Sequence, residues 1–149
     1  WRRSARASAE ATRYAIGVLT SHVHTAWAAR QSSTLRGDIR YTPTSAFDTF
    51  PWPQPSPGQR EAIAAAARNV IEGRSALCLQ REIGLTTLYN ELDDGAHAGL
   101  REAHRTLDLA VLDAYGWPAA LLDDLAARNR RLYDLNSEIA AGGRPYEPF

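Results

Sequence analysis

Residues 50–58 form a proline-rich stretch, Phe50-Pro51-Trp52-Pro53-Gln54-Pro55-Ser56-Pro57-Gly58. Each proline fixes φ and removes an amide donor, so the stretch is incompatible with a helix interior or a central strand. It predicts a semi-rigid strap between two parts of the chain, residues 1–57 and residues 58–149. We expect the aromatic side chains of the strap to anchor one part against the other.

The two parts differ in charge, although the formal net charge of the 149-residue chain is zero. Residues 1–57 hold seven arginines and three acids, for a net charge of +4, and residues 58–149 hold ten arginines and fourteen acids, for −4. The basic part is therefore the candidate for binding an anionic partner. Overall neutrality argues against a free-standing domain that holds nucleic acid mainly through counterion release.

The composition is that of a folded protein, with 44% hydrophobic and 23% charged residues. No apolar run approaches the length needed to span a bilayer, so we expect no membrane partner. A single cysteine excludes an intrachain disulfide and fits a reducing compartment, and we expect a cytoplasmic location. The chain lacks methionine and starts at Trp1, from which we expect it to be a piece of a longer polypeptide.

Hydrophobic periodicity predicts a mainly α fold. Apolar residues at helical spacing predict helices over 11–29, 59–81, 85–92, 100–114 and 121–139, and those after the strap would form a small C-terminal helical bundle. Residues 31–44 are polar and are predicted to form a short strand or loop. The part before the strap is therefore predicted to be a partial α+β segment.

The most informative part of that polar segment is an alternating run, Arg36-Gly37-Asp38-Ile39-Arg40-Tyr41. Alternation along an extended chain would place Arg36, Asp38 and Arg40 on one side. Arginine pairs with O6 and N7 of guanine, and aspartate accepts a hydrogen bond from N4 of cytosine. On spacing alone, a solvated hairpin with an Arg–Asp pair remains the simpler interpretation.

Enzymatic motifs are missing from these residues. We find no glycine-rich nucleotide loop, no Walker sequence, no nucleophile elbow and no Asn/Asp-Pro-Pro-aromatic sequence of amino-methyltransferases, so no catalytic residue is predicted. His22 and His24 are two apart, which on a helix turns them about 200° from each other, and no metal site is expected there. His104 lies on an apolar helix face and is expected to be a hydrogen-bonded core histidine.

A longer run around the alternating segment resembles a known family. The resemblance rests on Leu35-Arg36-Gly37-Asp38-Ile39-Arg40-Tyr41-Thr42-Pro43-Thr44-Ser45-Ala46-Phe47-Asp48-Thr49-Phe50-Pro51-Trp52-Pro53. This run is similar to the end of the target-recognition domain in MmeI-like (type IIL) restriction-modification enzymes, which are adenine-specific DNA methyltransferases. Residues 17–27 resemble the helix that precedes it in the family, and the motifs at 88–89, 100–104, 107–111 and 114–116 resemble the family's C-terminal helical domain.

The resemblance implies a division of the chain and a function. Residues 1–57 would be the C-terminal part of a DNA target-recognition domain that ends in the strap, and residues 58–149 the helical C-terminal domain. The parent would be a site-specific DNA adenine N6-methyltransferase of a restriction-modification or related phage-defence system, with or without endonuclease activity. It would use S-adenosyl-L-methionine and bind double-stranded DNA, and its methyltransferase domain would lie in the same polypeptide.

Within this scheme DNA binding is predicted for four residues, three of which the resemblance matches to the family. Arg36 and Asp38 match the pair that reads a base pair of the target, Arg40 matches the arginine beside it, and Tyr41 follows in the same segment. The chain itself would bind no cofactor and no metal and would not be catalytic. An alternative is a non-catalytic helical protein-interaction or scaffold module, which zero net charge and the acidic second part favour.

Overall fold

A computed structural model describes residues 2–35, 38–40 and 42–148, with side chains described for 11–32 and 42–148. Its elements are, in chain order, α1 (Arg2–Thr20), α2 (His22–Gln31), β1 (Ser33–Leu35), β2 (Asp38–Arg40), α3 (Pro43–Ala46), α4 (Pro57–Arg81), α5 (Leu85–Asp93), α6 (Ala98–Ala114), a 3-10 helix (Ala119–Leu122) and α7 (Leu125–Ala140). The mainly α fold predicted from the sequence is confirmed. No helix among the described residues is both long and apolar enough to cross a membrane.

The strands of the described residues are limited to one antiparallel pair. Ser33 pairs with Arg40, Thr34 with Ile39 and Leu35 with Asp38. A ribbon of three residues per strand is too small to bury a core of its own and depends on neighbouring elements. The predicted partial α+β segment is therefore not supported, because this part of the chain consists of helices with one short hairpin.

The single helix predicted over 11–29 is wrong, because the chain breaks at Ser21. Ser21 has extended backbone angles, and its hydroxyl donates to the carbonyl of Val18 at 2.7 Å while accepting from the amide of His24 at 3.4 Å. This residue therefore closes α1 and caps the start of α2. Periodicity continues across the break because Val18 and Val23 both face the core.

Helix α4 is the central element of the bundle and packs against both α1 and α6. It begins at Pro57 because Ser56 and Gln59 form a reciprocal capping box at its N-terminus. Ile63, Ala67 and Val70 on its apolar face are buried. The close approach of α1 depends on Gly17, where a Cβ would lie 2.8 Å from Cγ2 of Ile63.

The aromatic residues of the strap are buried, as the sequence predicted. Phe50 and Trp52 are 0% and 2% exposed and belong to one hydrophobic cluster with residues from both sides of the strap. The hydroxyls of Tyr14 and Tyr115 donate to strap carbonyls at 3.2 and 2.8 Å. Residues from before and after the strap thus each satisfy one of its backbone carbonyls.

The apolar stripe predicted over 121–139 is split between two elements. The 3-10 helix ends before Asp124, whose carboxylate caps α7 by accepting from the amide of Ala127 at 2.9 Å. The cap changes the helical phase, so Leu125 is 52% exposed while Arg128 is 5% exposed. A buried arginine takes the place of a predicted core leucine.

Candidate functional site

The predicted DNA-reading residues fall on and around the hairpin. Asp38 and Arg40 occupy the two ends of β2, and their backbones pair with those of Leu35 and Ser33. Arg36 and Tyr41 lie outside the described residues, as do the side chains of Asp38 and Arg40. The extended backbone predicted here is present at residues 38–40, and a shared side for the polar side chains stays a prediction.

Helices hold both ends of the hairpin. Helix α2 leads into β1 with one intervening residue, and α3 follows β2 closely along the chain. The hydroxyl of Ser45 on α3 donates to the carbonyl of Gln31, the last residue of α2, at 2.7 Å. Trp27 of α2 is 1% exposed and packs edge-on against Phe50 of the strap. The base of the hairpin is thereby fixed to the core.

A second feature is a pocket of about 400 Å³ at the other end of α2. Its polar lining comes from helices on both sides of the strap: His22, Asp93, Arg101, His104, Arg105, Asp108 and Arg128. We call it the arginine pocket.

The arginine pocket contains the contact that joins α2 to α6. The backbone amide of His22 donates to Oδ1 of Asp108 at 2.8 Å, and Nδ1 of the His22 ring lies 2.7 Å from Oδ2. Asp108 is buried, whereas the His22 side chain is 61% exposed. The hydrogen bond to Asp108 is the main cause that raises the pKa of His22. The carboxylate also neutralises the positive N-terminal end of α2.

His104 lies beside this pair, with its ring centroid 5.8 Å from that of His22. It is 5% exposed, and its Nε2 lies 3.0 Å from the hydroxyl of Tyr89, which confirms the hydrogen-bonded core histidine predicted from the sequence. Burial, followed by the charge of His22, lowers the pKa of His104. Its Nδ1 is buried without a hydrogen-bond partner among the described residues.

His24 occupies a different environment from His22. It is 4% exposed, and its ring packs edge-on against Phe50 at a centroid distance of 4.9 Å. Burial lowers the pKa of His24. The two histidines therefore face different surroundings, as their spacing predicted.

Arg128 is the buried cation of the arginine pocket. Its Nη1 donates to the carbonyls of Leu122 and Leu121 at 2.8 and 3.3 Å. Among the described residues it forms no ion pair with a carboxylate, and its Nε has no partner. Burial is the main cause that lowers the pKa of Arg128.

Sequence reasoning did not single out Asp108 or Arg128 as site residues. A usable signal existed, because Asp108 follows His104 by four residues and Arg128 precedes Leu132 by four. Residues four apart share a helix face, so each charged residue lies on a stripe that is otherwise buried. A charge on a buried stripe indicates a partner or a site.

Three guanidinium groups line the arginine pocket against two carboxylates, Asp93 and Asp108, so N–H donors and positive charge predominate. Across the described parts of the chain, no group of three or more His, Cys, Asp or Glu is arranged to hold a metal ion. Guanidinium and imidazolium groups suit oxyanions such as carboxylate and phosphate.

Comparisons with known proteins agree with the resemblance seen in the sequence. Residues 2–54 match the family model described as MmeI, target recognition domain. The chain is 31% identical over 104 residues to DNA methyltransferase A of Bacillus subtilis (strain 168), which covers 68% of this chain and 11% of that protein. It is also similar to a solved structure of the type IIL restriction-modification enzyme MmeI in complex with DNA, with a TM-score of 0.76 and 28% identity over 87% of this chain and 16% of that one.

The chain thus spans about a tenth to a sixth of the relatives that it matches. The recognition-domain match ends inside the strap, and the structural similarity extends well beyond it. The predicted resemblance to MmeI-like (type IIL) restriction-modification enzymes is therefore confirmed, with residues 2–54 matching the family's target-recognition domain.

Proposed function

We propose that this chain is the DNA-sequence-recognition and C-terminal part of a site-specific DNA adenine N6-methyltransferase from a restriction-modification or related phage-defence system. The observation that carries the proposal is the position of the hairpin. It lies within residues 2–54, the segment that matches the MmeI target-recognition domain. A two-stranded ribbon fits the major groove of B-form DNA, where all four base pairs can be distinguished.

In this proposal Arg36 and Asp38 read a base pair, and Arg40 and Tyr41 contact the DNA beside it. Arginine and aspartate have opposite hydrogen-bonding roles, so together they match the acceptors of guanine and the donor of cytosine in one pair. Asp38 and Arg40 are two residues apart on β2. Helices α2 and α3 hold the hairpin in place. Such rigid support is needed for side chains to read the edge of a nucleobase.

In this proposal the strap separates two parts of the chain with different roles. Residues 1–57 form the recognition part, and residues 58–149 form the helical part that braces it. Support comes from the shared core, in which Val18 and Phe50 from before the boundary belong to the same cluster as Ile63 and Leu107 from after it. The net charge of −4 on residues 58–149 also disfavours DNA on the helical part and so favours DNA on the basic recognition part.

Methyl transfer would take place outside these residues. The parent would bind S-adenosyl-L-methionine in a methyltransferase domain of the same polypeptide and act in the cytoplasm. The cofactor would supply the methyl group there, and N6 of adenine would gain an N–C bond as the methyl–sulfur bond breaks and one proton leaves. The target base must leave the helical stack to reach that centre, so the recognition part has to hold the flanking duplex in register.

A measurement of DNA binding by the chain itself distinguishes this proposal from the alternative of a protein-interaction module. We expect the chain to bind duplex DNA weakly, as measured by fluorescence anisotropy. The affinity should fall steeply when the salt concentration rises about fourfold, from about 50 mM to about 200 mM. The double variant Arg36→Gln/Arg40→Gln should bind more weakly, whereas Arg130→Gln, at an exposed position on α7, should bind like the unmodified chain. Absence of duplex binding at low salt would favour the scaffold alternative, and tight, salt-insensitive binding would contradict the expected weak, phosphate-driven contact.

A further inference from the structure

Arg128 is buried in the arginine pocket and, among the described residues, no carboxylate lies within ion-pair distance of it, although Asp108 and Asp123 act on it from farther away. A buried charge is costly unless it is paired, and among the described residues the guanidinium donates hydrogen bonds only to the backbone carbonyls of Leu121 and Leu122. Its Nε remains unsatisfied. Such an arrangement is stabilised when an anion from outside makes the direct contact to the guanidinium that Asp108 and Asp123 do not make.

The surrounding charges favour an anion over a cation. Arg101, Arg105 and His22 line the pocket with Arg128, and the lining acids are Asp93 and Asp108. Asp108 is already engaged by the amide and the ring of His22. Arg105 lies 3.8 Å from Asp123 in an exposed pair, and Arg101 has no ion pair among the described residues.

We propose that the arginine pocket binds a phosphate group, with Arg128 and Arg101 as the main cationic partners and His22 as a further donor at its edge. The planar guanidinium fork matches two phosphate oxygens at once. A tetrahedral anion also fits comfortably within a pocket of about 400 Å³. This site is separate from the base-reading hairpin and adds a function that the recognition segment does not supply.

The phosphate could belong to a DNA backbone or to a free phosphate compound. The fold favours the backbone, and this preference rests on the proposed function. His22 begins α2, and the ten residues of that helix lead to the hairpin. At 1.5 Å per residue, the arginine pocket and the hairpin base are about 15 Å apart, a span of four to five base pairs at about 3.4 Å each. A phosphate held at one end of α2 would fix the register of bases read at the other.

Inorganic phosphate is the direct probe of the pocket. In the 149-residue chain at constant ionic strength, we expect saturable shifts in the NMR signals of the Arg128 Nε–H and the His22 ring. Arg101→Gln should weaken phosphate binding about tenfold, the loss of one charged hydrogen-bonding partner. Arg130→Gln on α7 is the matched control and should leave the affinity unchanged.

Two results would overturn the site: no saturable shift in the unmodified chain, or equal phosphate affinities in the Arg101→Gln and Arg130→Gln variants. Arg128→Gln is the more obvious variant, but it removes a buried side chain and can fail to fold. Arg101 is exposed, so its replacement tests the pocket in a folded protein.

A duplex competition experiment identifies the source of the phosphate. If a DNA duplex displaces phosphate from the pocket, the site holds the backbone, and if phosphate binding persists at saturating duplex, the site serves a free phosphate compound. The Arg36→Gln variant should keep full phosphate affinity. A failure of the proposed base recognition and a failure of the proposed phosphate site can therefore be distinguished.

Discussion

Replacing Asp108 by asparagine tests the contact that ties α2, and with it the hairpin, to the helical bundle. Asp108 accepts two hydrogen bonds from His22, at 2.8 Å from its amide and 2.7 Å from its ring. Hydrogen bonds to a charged group contribute about 1.5–3 kcal/mol each and neutral ones about 1 kcal/mol. Asparagine keeps one neutral acceptor for the amide, so we expect Asp108→Asn to lose about 2 kcal/mol of unfolding free energy near pH 6.

The loss should depend on pH in a defined direction. The pKa of His22 is raised in the folded chain by Asp108, so protonation of His22 stabilises the fold. That stabilisation is complete below the unfolded-state pKa of about 6.5 and disappears as the pH rises through the raised value. The difference in unfolding free energy between the unmodified chain and Asp108→Asn should therefore narrow as the pH rises above about 6.5 and through the raised pKa of His22. The lowered pKa of His24 acts in both proteins, whereas the pKa of His104 itself depends on the charges of His22 and Asp108, so the difference reports the coupled titration of His22 and His104 beside Asp108.

Urea unfolding followed by circular dichroism across this pH range measures the effect. Asp123→Asn is the matched control, because the Asp123 side chain is 80% exposed and its ion pair with Arg105, at 3.8 Å, lies at the surface. This substitution should change the unfolding free energy by less than about 0.5 kcal/mol. Equal stability of the two variants at pH 6 would refute the reasoning. A gap that does not change with pH would show that His22 is not the titrating partner.

Two further substitutions test the core. Gly17→Ala should destabilise the chain by about 1–3 kcal/mol, because the new Cβ would lie 2.8 Å from a methyl group and 3.2 Å from the carbonyl oxygen of Ile63. Gly73→Ala in the interior of α4 is its control and should stabilise by about 0.5–1 kcal/mol, since the nearest atom is 3.6 Å away. Tyr14→Phe should lose about 1 kcal/mol near neutral pH, because it removes the 3.2 Å hydrogen bond to Pro53. Burial raises the pKa of Tyr14 to about 12, so Tyr14→Phe should also lose less stability than the unmodified chain between pH 10 and 12.

Denaturant titrations measure all three variants. A neutral Gly17→Ala would mean that α1 and α4 are not in close contact. A Tyr14→Phe protein that unfolds with the same alkaline profile as the unmodified chain would show that Tyr14 does not stay protonated in the core.

Helix boundaries between residues 57 and 114 follow closely from the sequence. The predicted helix over 85–92 corresponds to α5 (Leu85–Asp93), because glycine and an Asp-Asp-Gly turn flank it on either side. The break at Ser21 and the exposure of Leu125 were not predicted. Both depend on a residue whose side chain caps a new helix and so changes which residues face the core. A serine or aspartate within a run of apolar residues at helical spacing does not by itself reveal that it caps a helix.

Of the two candidate sites, the hairpin could be predicted from the sequence and the arginine pocket could not. The alternating segment and the resemblance pointed to the hairpin, because base readout uses particular residue types at a local spacing. The arginine pocket joins His22 to Asp108, 86 residues apart, and no local pattern reports such a contact. Only the packing of α2 against α6 and α7 brings these charged groups together.

The target motif of a full-length methyltransferase that carries this segment is the most direct test of DNA-sequence recognition by the hairpin. The measurement is modification-sensitive sequencing of host DNA after Arg36 and Asp38 are exchanged for other polar residues, with Arg130→Gln as the matched control. We predict that the exchange changes the methylated motif at one base pair, while the control leaves the motif intact. An unchanged motif in an active enzyme with both residues replaced would contradict recognition by this segment.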